Sequence, residues 1–323
     1  MKAVVCTKYN SLEHLKILEV PKPSPKDNEV LIKVYATPVT SGDWRIQSLA
    51  NPWGFKFLMQ VIYGFSKPRQ PILGTQLAGT IEAIGKNVKK FKAGDEVIAE
   101  SALRLGGHAQ YRCLSESAPI AIKPKSLSFE EAAVLSFGGV TALDYLKNKT
   151  TVRPGEKLLV YGASGSVGIA AVQLGVYFGA KVTGVCSSPN FEFVKSYGAE
   201  NVIDYKREDF TKNGETYDVI LDTVGTLSMA KCKHSLTKSG RLLLVSPGLL
   251  QQLAAPFSNL FSSSKIVSGV VSASPGLMQK LCELVKAGKF KAVIDRQFKL
   301  DEITSAYEYV GQRHKKGNVV VKL

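Results

Sequence analysis

Cysteine is scarce in this chain. The five residues Cys6, Cys113, Cys186, Cys232 and Cys282 form no C-x-x-C pair and make an odd total, which argues against a disulfide framework and against a cysteine-built metal site. Histidine is scarcer still. His14, His108, His234 and His314 have no ligand spacing, so each reads as a surface or supporting residue rather than a metal ligand. Acidic residues are outnumbered, with 42 Lys+Arg against 27 Asp+Glu for a formal charge of +15. The lysines are scattered and no aromatics are interleaved with them, so the surplus reads as a solvated surface and not as a nucleic-acid groove. Some of it would suit an anionic cofactor. A long apolar run is missing too. Leu158 to Ala180 and Leu242 to Ser264 carry no charge, but Gly and Ser break the first, and Pro247, Gly248, Pro256 and a Ser/Gln/Asn-rich tail break the second. No membrane span is expected. The N-terminus turns polar at Thr7 before a signal-peptide core could form, which points to a cytoplasmic, reduced protein.

What is present is a globular composition. With 323 residues, 45% of them hydrophobic, and only 28 Gly and 14 Pro, the chain is neither disordered nor collagen-like and has room for about two domains. The first 125 residues read as β-rich and antiparallel, with short β-branched runs at Lys2 to Cys6, Glu29 to Ala36, Gly79 to Ile84, Asp95 to Ala99 and Gln110 to Leu114 between Pro- and Gly-containing turns. Ser128 followed by Glu131 spells a capping box and opens a helix. Strands and helices then alternate: Lys157 to Tyr161, a helix to Phe178, Lys181 to Cys186, a helix over Phe191 to Tyr197, Asn201 to Asp204, Asp218 to Asp222 and Arg241 to Val245. That alternation predicts an α/β domain with a doubly wound parallel sheet. A strand at Ile266 to Val271, a helix near Leu277 to Lys286 and a β-α-β tail (Val293 to Phe298, Ile303 to Val310, Asn318 to Leu323) complete the chain, the tail returning to the first unit.

The clearest chemical motif is Gly162-Ala163-Ser164-Gly165-Ser166-Val167-Gly168, which follows a strand and opens an apolar helix. It spells A-x-G-x-x-G, with Ala163 where the dinucleotide fingerprint usually has its first glycine. Gly165 would let the backbone approach a pyrophosphate, Gly168 would let helix and sheet pack closely, and the helix N-terminus offers free N–H groups. About 20 residues further on, where an NAD site usually carries Asp or Glu on the ribose 2′-hydroxyl, the chain reads Cys186-Ser187-Ser188. Small hydroxyls admit a 2′-phosphate that a carboxylate would repel, so NADPH is the expected cofactor. No Arg or Lys stands between Cys186 and Phe193 to strengthen the grip.

With these motifs in place, the sequence resembles the medium-chain dehydrogenase/reductase superfamily and, within it, the zinc-free quinone oxidoreductase and enone reductase branch. The resemblance spans essentially the whole chain. It is carried by Glu29 to Val34 with Asp43-Trp44-Arg45, Pro71 to Gly74 with Ala78-Gly79, Phe91 to Val97, Gly162 to Gly168, Val194 to Ala199 with Val202 to Tyr205, and Gly317 to Val320. It implies a Rossmann cofactor domain over 126–274 and a GroES-like catalytic domain over 1–125 and 275–323. A homodimer formed through an edge strand near Ile266 to Val271 is also implied. Where zinc-dependent relatives hold their catalytic metal by Cys, His and Cys, this chain has Thr40, Thr75 and Phe137, and the structural zinc lobe expected after Val97 is absent.

Without a metal to stabilise an alkoxide, the accessible reaction is hydride delivery to an already activated acceptor, a hydrophobic quinone or α,β-unsaturated carbonyl. The resemblance places Ser41, Asp43, Trp44 and Thr141 near the nicotinamide, and Ala163, Ser164, Gly165, Ser166 and Val167 at the pyrophosphate. Ser187, Ser188, Asn190 and Tyr205 fall at the 2′-phosphate, and Ser246, Pro247, Gly248, Gly317 and Asn318 near the carboxamide and ribose. No catalyst is assigned; Thr40, Asp43, Trp44 and Tyr63 are candidates, and Asp43 is expected to pair with Arg45. The apolar segment Asn51 to Pro71, with Trp53, Phe57, Leu58, Val61, Ile62 and Phe65, reads either as a buried packing helix or as a wall or lid over a bulky substrate. Two alternatives remain open at this point, a zinc-type alcohol dehydrogenase relative and a catalytically weak NADPH-binding protein that binds nucleic acid.

Overall fold

The computed structural model describes residues 1–50, 54–101, 104–261, 263–271 and 273–323; Trp53 of the apolar segment lies outside them. From the N-terminus the chain forms β1 (Lys2–Cys6), β2 (Leu15–Glu19), β3 (Glu29–Val39), α1 (Ser41–Ser48), α2 (Phe55–Tyr63), β4 (Gln76–Ile84), β5 (Glu96–Glu100), β6 (Tyr111–Ser115), β7 (Ile120–Ile122) and α3 (Phe129–Ala133). There follow α4 (Leu135–Leu143), β8 (Lys157–Tyr161), α5 (Ser166–Tyr177), β9 (Lys181–Cys186), α6 (Phe191–Ser196), β10 (Asn201–Asp204), β11 (Tyr217–Asp222), α7 (Met229–Cys232), β12 (Leu236–Leu244), α8 (Leu249–Phe261) and β13 (Lys265–Ser268). The tail is α9 (Pro275–Lys286), β14 (Ile294–Lys299), α10 (Ile303–Gly311) and β15 (Asn318–Lys322). Two compact units divide the chain: Met1–Asn51 with Lys56–Phe137 and Ser272–Leu323, and Pro52–Phe55 with Gly138–Val271.

The first unit is built on a seven-stranded sheet ordered β14-β15-β3-β4-β5-β7, with β6 on the flank of β3. Only β14 and β15 run parallel; the other pairs are antiparallel. Alternate residues of β3 and β4 turn inward, so Val30, Ile32, Val34, Leu77 and Ile81 form one core cluster. A second cluster gathers Val4, Tyr9, Val39, Tyr63 and Leu73 with the C-terminal Tyr307 and Val319. Two capping boxes start helices here. The one at Ser128 and Glu131, expected from the sequence, is formed by Ser128 N–H to Glu131 at 2.9 Å and Glu131 N–H to Ser128 Oγ at 3.2 Å. The one at Thr40 and Asp43, which opens α1, is less legible because aspartate stands where the pattern usually has Glu or Gln.

In the second unit six strands run parallel in the order β10-β9-β8-β11-β12-β13, the doubly wound Rossmann arrangement. Parallel strands are covered on both faces, so β8, β11 and β12 are nearly continuous Leu, Val and Ile runs with Leu158, Val160, Ile220 and Leu242 fully buried. For the same reason α5 is apolar around most of its circumference: Ser166 through Gly175 are all buried. The strand order reverses between β8 and β11, and in such sheets that is where a crevice opens at the carboxyl ends of the strands. The uncharged run Leu242 to Ser264 resolves into the end of β12 and α8, with Pro256 inside the helix. Among the described residues no helix is long and apolar enough to cross a membrane.

Candidate active site

In the second unit the turn between β8 and α5 is shaped by glycine at two points. Gly162 has φ +86°, in the region that favours glycine, and at Gly168 a Cβ would sit 2.1 Å from Gly162 O, so neither position tolerates a side chain without moving backbone. Gly165 differs. A Cβ there would touch only Gly162 O, at 3.5 Å, so packing within the protein does not demand glycine and the space it leaves is free for a ligand. Gly165 is also the N-cap of α5 and supplies no capping side chain. No capping side chain competes with an anion at this end of the helix, and the helix dipole favours one there. Ala163 is fully buried against the sheet and Val167 nearly so, whereas Ser164 is half-buried. Thr141 lies one turn beyond Gly138 on α4, where a Cβ on Gly138 would meet Ser166 O at 2.4 Å.

The ends of β9 and β10 form a second cradle. Asp204 is paired in register with Cys186, and its carboxylate accepts hydrogen bonds from Lys206 N–H and from both the hydroxyl and the N–H of Ser188. Together these hold the acid below the usual carboxylate range. Asn190, almost wholly buried, donates its amide N–H groups to Ser164 Oγ and Ser187 Oγ, both at 3.2 Å. It ties the serine loop to the phosphate turn. The exposed guanidinium of Arg207 reaches to 3.9 Å from Asp204, and Tyr205 is exposed beside it. A cation thus stands at the serine loop after all, brought from the next strand by the register.

At the reversal point the loops after β8, β11 and β12 converge. Asp222, fully buried, accepts from the N–H groups of Val224, Gly225 and Leu227 at 2.8–2.9 Å and so fixes the turn after β11. Thr223 donates to Tyr161 O at 2.8 Å, and a Cβ on Gly225 would sit 2.6 Å from Ser246 O. Gly248 N–H donates to Gln251 Oε1, and Gln251 in turn donates to Leu227 O. Pro247 is buried and Ser246 and Gly248 are partly exposed along this edge.

In the first unit the polar residues at the ends of β3, β4 and β5 form a buried array. Thr40 Oγ–H donates to Asp43 Oδ2 at 2.6 Å, Thr40 N–H to the same oxygen at 2.9 Å, and Thr75 Oγ–H to Asp43 Oδ1 at 3.3 Å. The Asp43 carboxylate thus accepts from two threonines. Arg45 lies beside Arg313, and burial lowers its affinity for a proton. Phe137 places its ring beside Gly42, next to the Thr40 hydroxyl. Two committed hydroxyls and a phenyl ring cannot ligate zinc, so the residues at this locus do not fit that metal. No group of three or more metal-ligating side chains occurs among the described residues. Ser41 opens α1, and Trp44 packs on α10 under the Arg313 guanidinium. Tyr63 is buried, and desolvation with the nearby Asp43 pushes its phenol up to about 12. Asn318 donates its side-chain amide to Val293 O, and the Lys315 ammonium donates to Gly317 O at 2.6 Å.

Three members of the array, His108, Tyr307 and Glu100, carry no signal in the sequence. His108 is fully buried between Thr37 Oγ at 3.0 Å and Tyr307 OH at 3.1 Å. Thr37 gives its one proton to Gln76 O at 2.7 Å, so His108 Nδ1–H donates to Thr37, and Nε2 accepts from Tyr307. Burial lowers the His108 pKa, which keeps this neutral tautomer. The third is Glu100. Desolvation, opposed by a 3.4 Å hydrogen bond from Gln76 and reinforced by the charge of Asp43, pushes its carboxyl up to about 7. Gln76 Oε1 is buried without a hydrogen-bond partner; with the amide turned over, a protonated Glu100 would donate to it. Only the three-dimensional pairing of β4 with β5, Gln76 opposite Glu100, shows this.

Comparison with known proteins agrees with the fold of the two units. Residues 26–154 match the alcohol dehydrogenase GroES-like domain family and residues 197–321 the zinc-binding dehydrogenase family. The chain is 33% identical to a chloroplastic quinone-oxidoreductase of Triphysaria versicolor over 95% of its own length and 94% of the relative. It is 32% identical to a 2-methylene-furan-3-one reductase of Solanum lycopersicum over 99% of this chain and 79% of that one. The structure of a quinone oxidoreductase from Coxiella burnetii superposes with a TM-score of 0.89 at 27% identity, covering 100% of this chain and 99% of that one.

Proposed function

The chain belongs to the medium-chain dehydrogenase/reductase superfamily, and from that premise we propose that it is an NADPH-dependent reductase of quinones or α,β-unsaturated carbonyls that works without zinc. The observation that carries the proposal is the Thr40–Asp43–Thr75 lock with Phe137 beside it. Zinc-assisted alcohol oxidation needs a Lewis acid at that locus, and these side chains offer no ligand set for one. Reduction of a conjugated acceptor asks less, because charge developing on its oxygen can be met by hydrogen-bond donors. Relatives named as a quinone-oxidoreductase and a furanone reductase support the same acceptor classes.

In this proposal residues 126–274 carry the cofactor and residues 1–125 with 275–323 the substrate. The N-terminus of α5, whose dipole favours an anion, holds the pyrophosphate at the turn Ser164 to Val167. Ser187 and Arg207 hold the 2′-phosphate, with Asn190 orienting Ser187, while Ser188 gives its hydroxyl and its N–H to Asp204 and so occupies that carboxylate. When bound, the dihydronicotinamide supplies a hydride. Glu100, whose carboxyl is raised to about 7 by burial and so exchanges its proton near neutral pH, supplies the proton that completes the two-electron reduction and is reprotonated from water. An absorbance screen at the nicotinamide band tests the whole, with NADPH and NADH against quinones, enones, aldehydes and simple alcohols. Oxidation of NADPH by quinones or enones, with NADH at least tenfold poorer, is expected; alcohol oxidation with NAD, or no turnover of any conjugated acceptor, would refute it.

A further inference from the structure

Helix α2 is apolar on both sides. Met59 and Tyr63 turn toward the core cluster of the first unit, which accounts for one face. The other face also carries large apolar side chains, and these are exposed. Phe57 is 69% exposed, Leu58, Val61 and Ile62 are exposed, and Phe65, just beyond the helix, is 57% exposed. At about 100° per residue, Phe57, Leu58, Val61 and Ile62 span a stripe roughly 140° wide. The Phe57 and Phe65 rings meet edge-on with centroids 6.3 Å apart, which holds Phe65 on the same stripe. The reading of this segment as a buried packing helix is therefore overturned: one face is buried and the opposite one is not.

Charge marks what this face suits. Trp44 through Ile81 contains no Asp or Glu, while Lys56, Lys67 and Arg69 are exposed at the two ends of the stripe. An apolar stripe bounded by cations and free of anions matches the headgroup boundary of an anionic bilayer, where phenyl groups enter the acyl region and the cations meet lipid phosphates. The overall charge of +15 acts in the same direction. A helix of nine residues lies in that boundary rather than across it.

We propose that α2, with Phe65 and the cations Lys56, Lys67 and Arg69, is a docking surface for an anionic lipid bilayer. The test uses the full chain with sedimented vesicles of phosphatidylcholine alone and of phosphatidylcholine with phosphatidylserine, at low and high salt. Partition onto the phosphatidylserine vesicles is expected, weakening with salt. Replacing Phe57 and Phe65 together by Ser removes two buried phenyls and should lower it about a hundredfold, on the order of tenfold for each. K56E/K67E leaves the phenyls in place and should lower it more than tenfold, at about fivefold per cation near an anionic surface. Cooperative melting of each variant verifies its fold, and because the two variants change different chemistry either one suffices. Equal partition onto the two kinds of vesicle would overturn the proposal, as would unchanged binding of a folded variant. A dimer in gel filtration that F57S/F65S converts to a monomer, with no vesicle binding by the native chain, would assign the face to a second copy instead.

Discussion

Replacing Glu100 by Gln isolates the proton that the buried array holds. Gln is the neutral shape of a protonated glutamate and can keep the contact with Gln76. In the native chain the carboxyl has its pKa raised from 4.5 to about 7 by desolvation, so between those values the folded state binds a proton that the unfolded state has released. Stability therefore falls as pH rises through that window and is fully retained only below it. Raising the carboxyl from 4.5 to about 7, at about 1.4 kcal/mol per pH unit, amounts to about 3.5 kcal/mol. In Tm that is about 5 °C if the whole chain unfolds together and about 9 °C if the first unit melts alone. Calorimetry of both proteins at about pH 4 and pH 8 should show nearly equal Tm in acid and E100Q the more stable in base by about that amount. Parallel pH curves for the two would mean that Glu100 ionises like an exposed carboxylate, and the proton source proposed for the reaction would go with it. The activity carries the opposite sign: E100Q should lose turnover at neutral pH by about a hundredfold, and the native rate should decline above pH 7 or so.

Gly168→Ala sets a methyl 2.1 Å from Gly162 O, so the phosphate turn must open; NADPH affinity measured by nicotinamide fluorescence should fall at least tenfold. Arg207→Ala removes the exposed cation beside Asp204 and should raise KM for NADPH about tenfold while leaving KM for NADH unchanged; equal effects on both would dissociate Arg207 from the 2′-phosphate. Asp222→Ala strands three N–H groups, that of Leu227 buried and those of Val224 and Gly225 partly buried, and should cost about 2–3 kcal/mol in denaturant unfolding, whereas a loss below about 0.5 kcal/mol would show that water replaces the carboxylate.

Much of the fold is legible along the chain because its signals are local. β8, β9 and β10 fall at Lys157–Tyr161, Lys181–Cys186 and Asn201–Asp204, as the apolar runs and turns between them indicate, and the Ser128 box forms from two residues three apart. Helices α1 and α8 are harder to read. The first is short and polar, its cap spelled with Asp43, and the second carries Pro256 where a helix would be expected to stop. Long-range chemistry is invisible in one dimension. Arg207 reaches the serine loop only through the pairing of β9 with β10, and Glu100 meets Gln76 only through that of β4 with β5. One of the donors to Asp43 is hidden for a related reason, since Thr75 reaches the carboxylate from 32 residues further along the chain.

The account rests on hydride passing from NADPH to a conjugated carbon with no metal assisting. NADPH deuterated at the transferring C4 position, mixed with an enone and protein stripped of metal by chelation, tests this directly. Deuterium should appear at the β-carbon of the product, one equivalent per NADPH oxidised, at a rate that added zinc does not change. Unlabelled product, or activity that vanishes on chelation and returns with one zinc per chain, would contradict it.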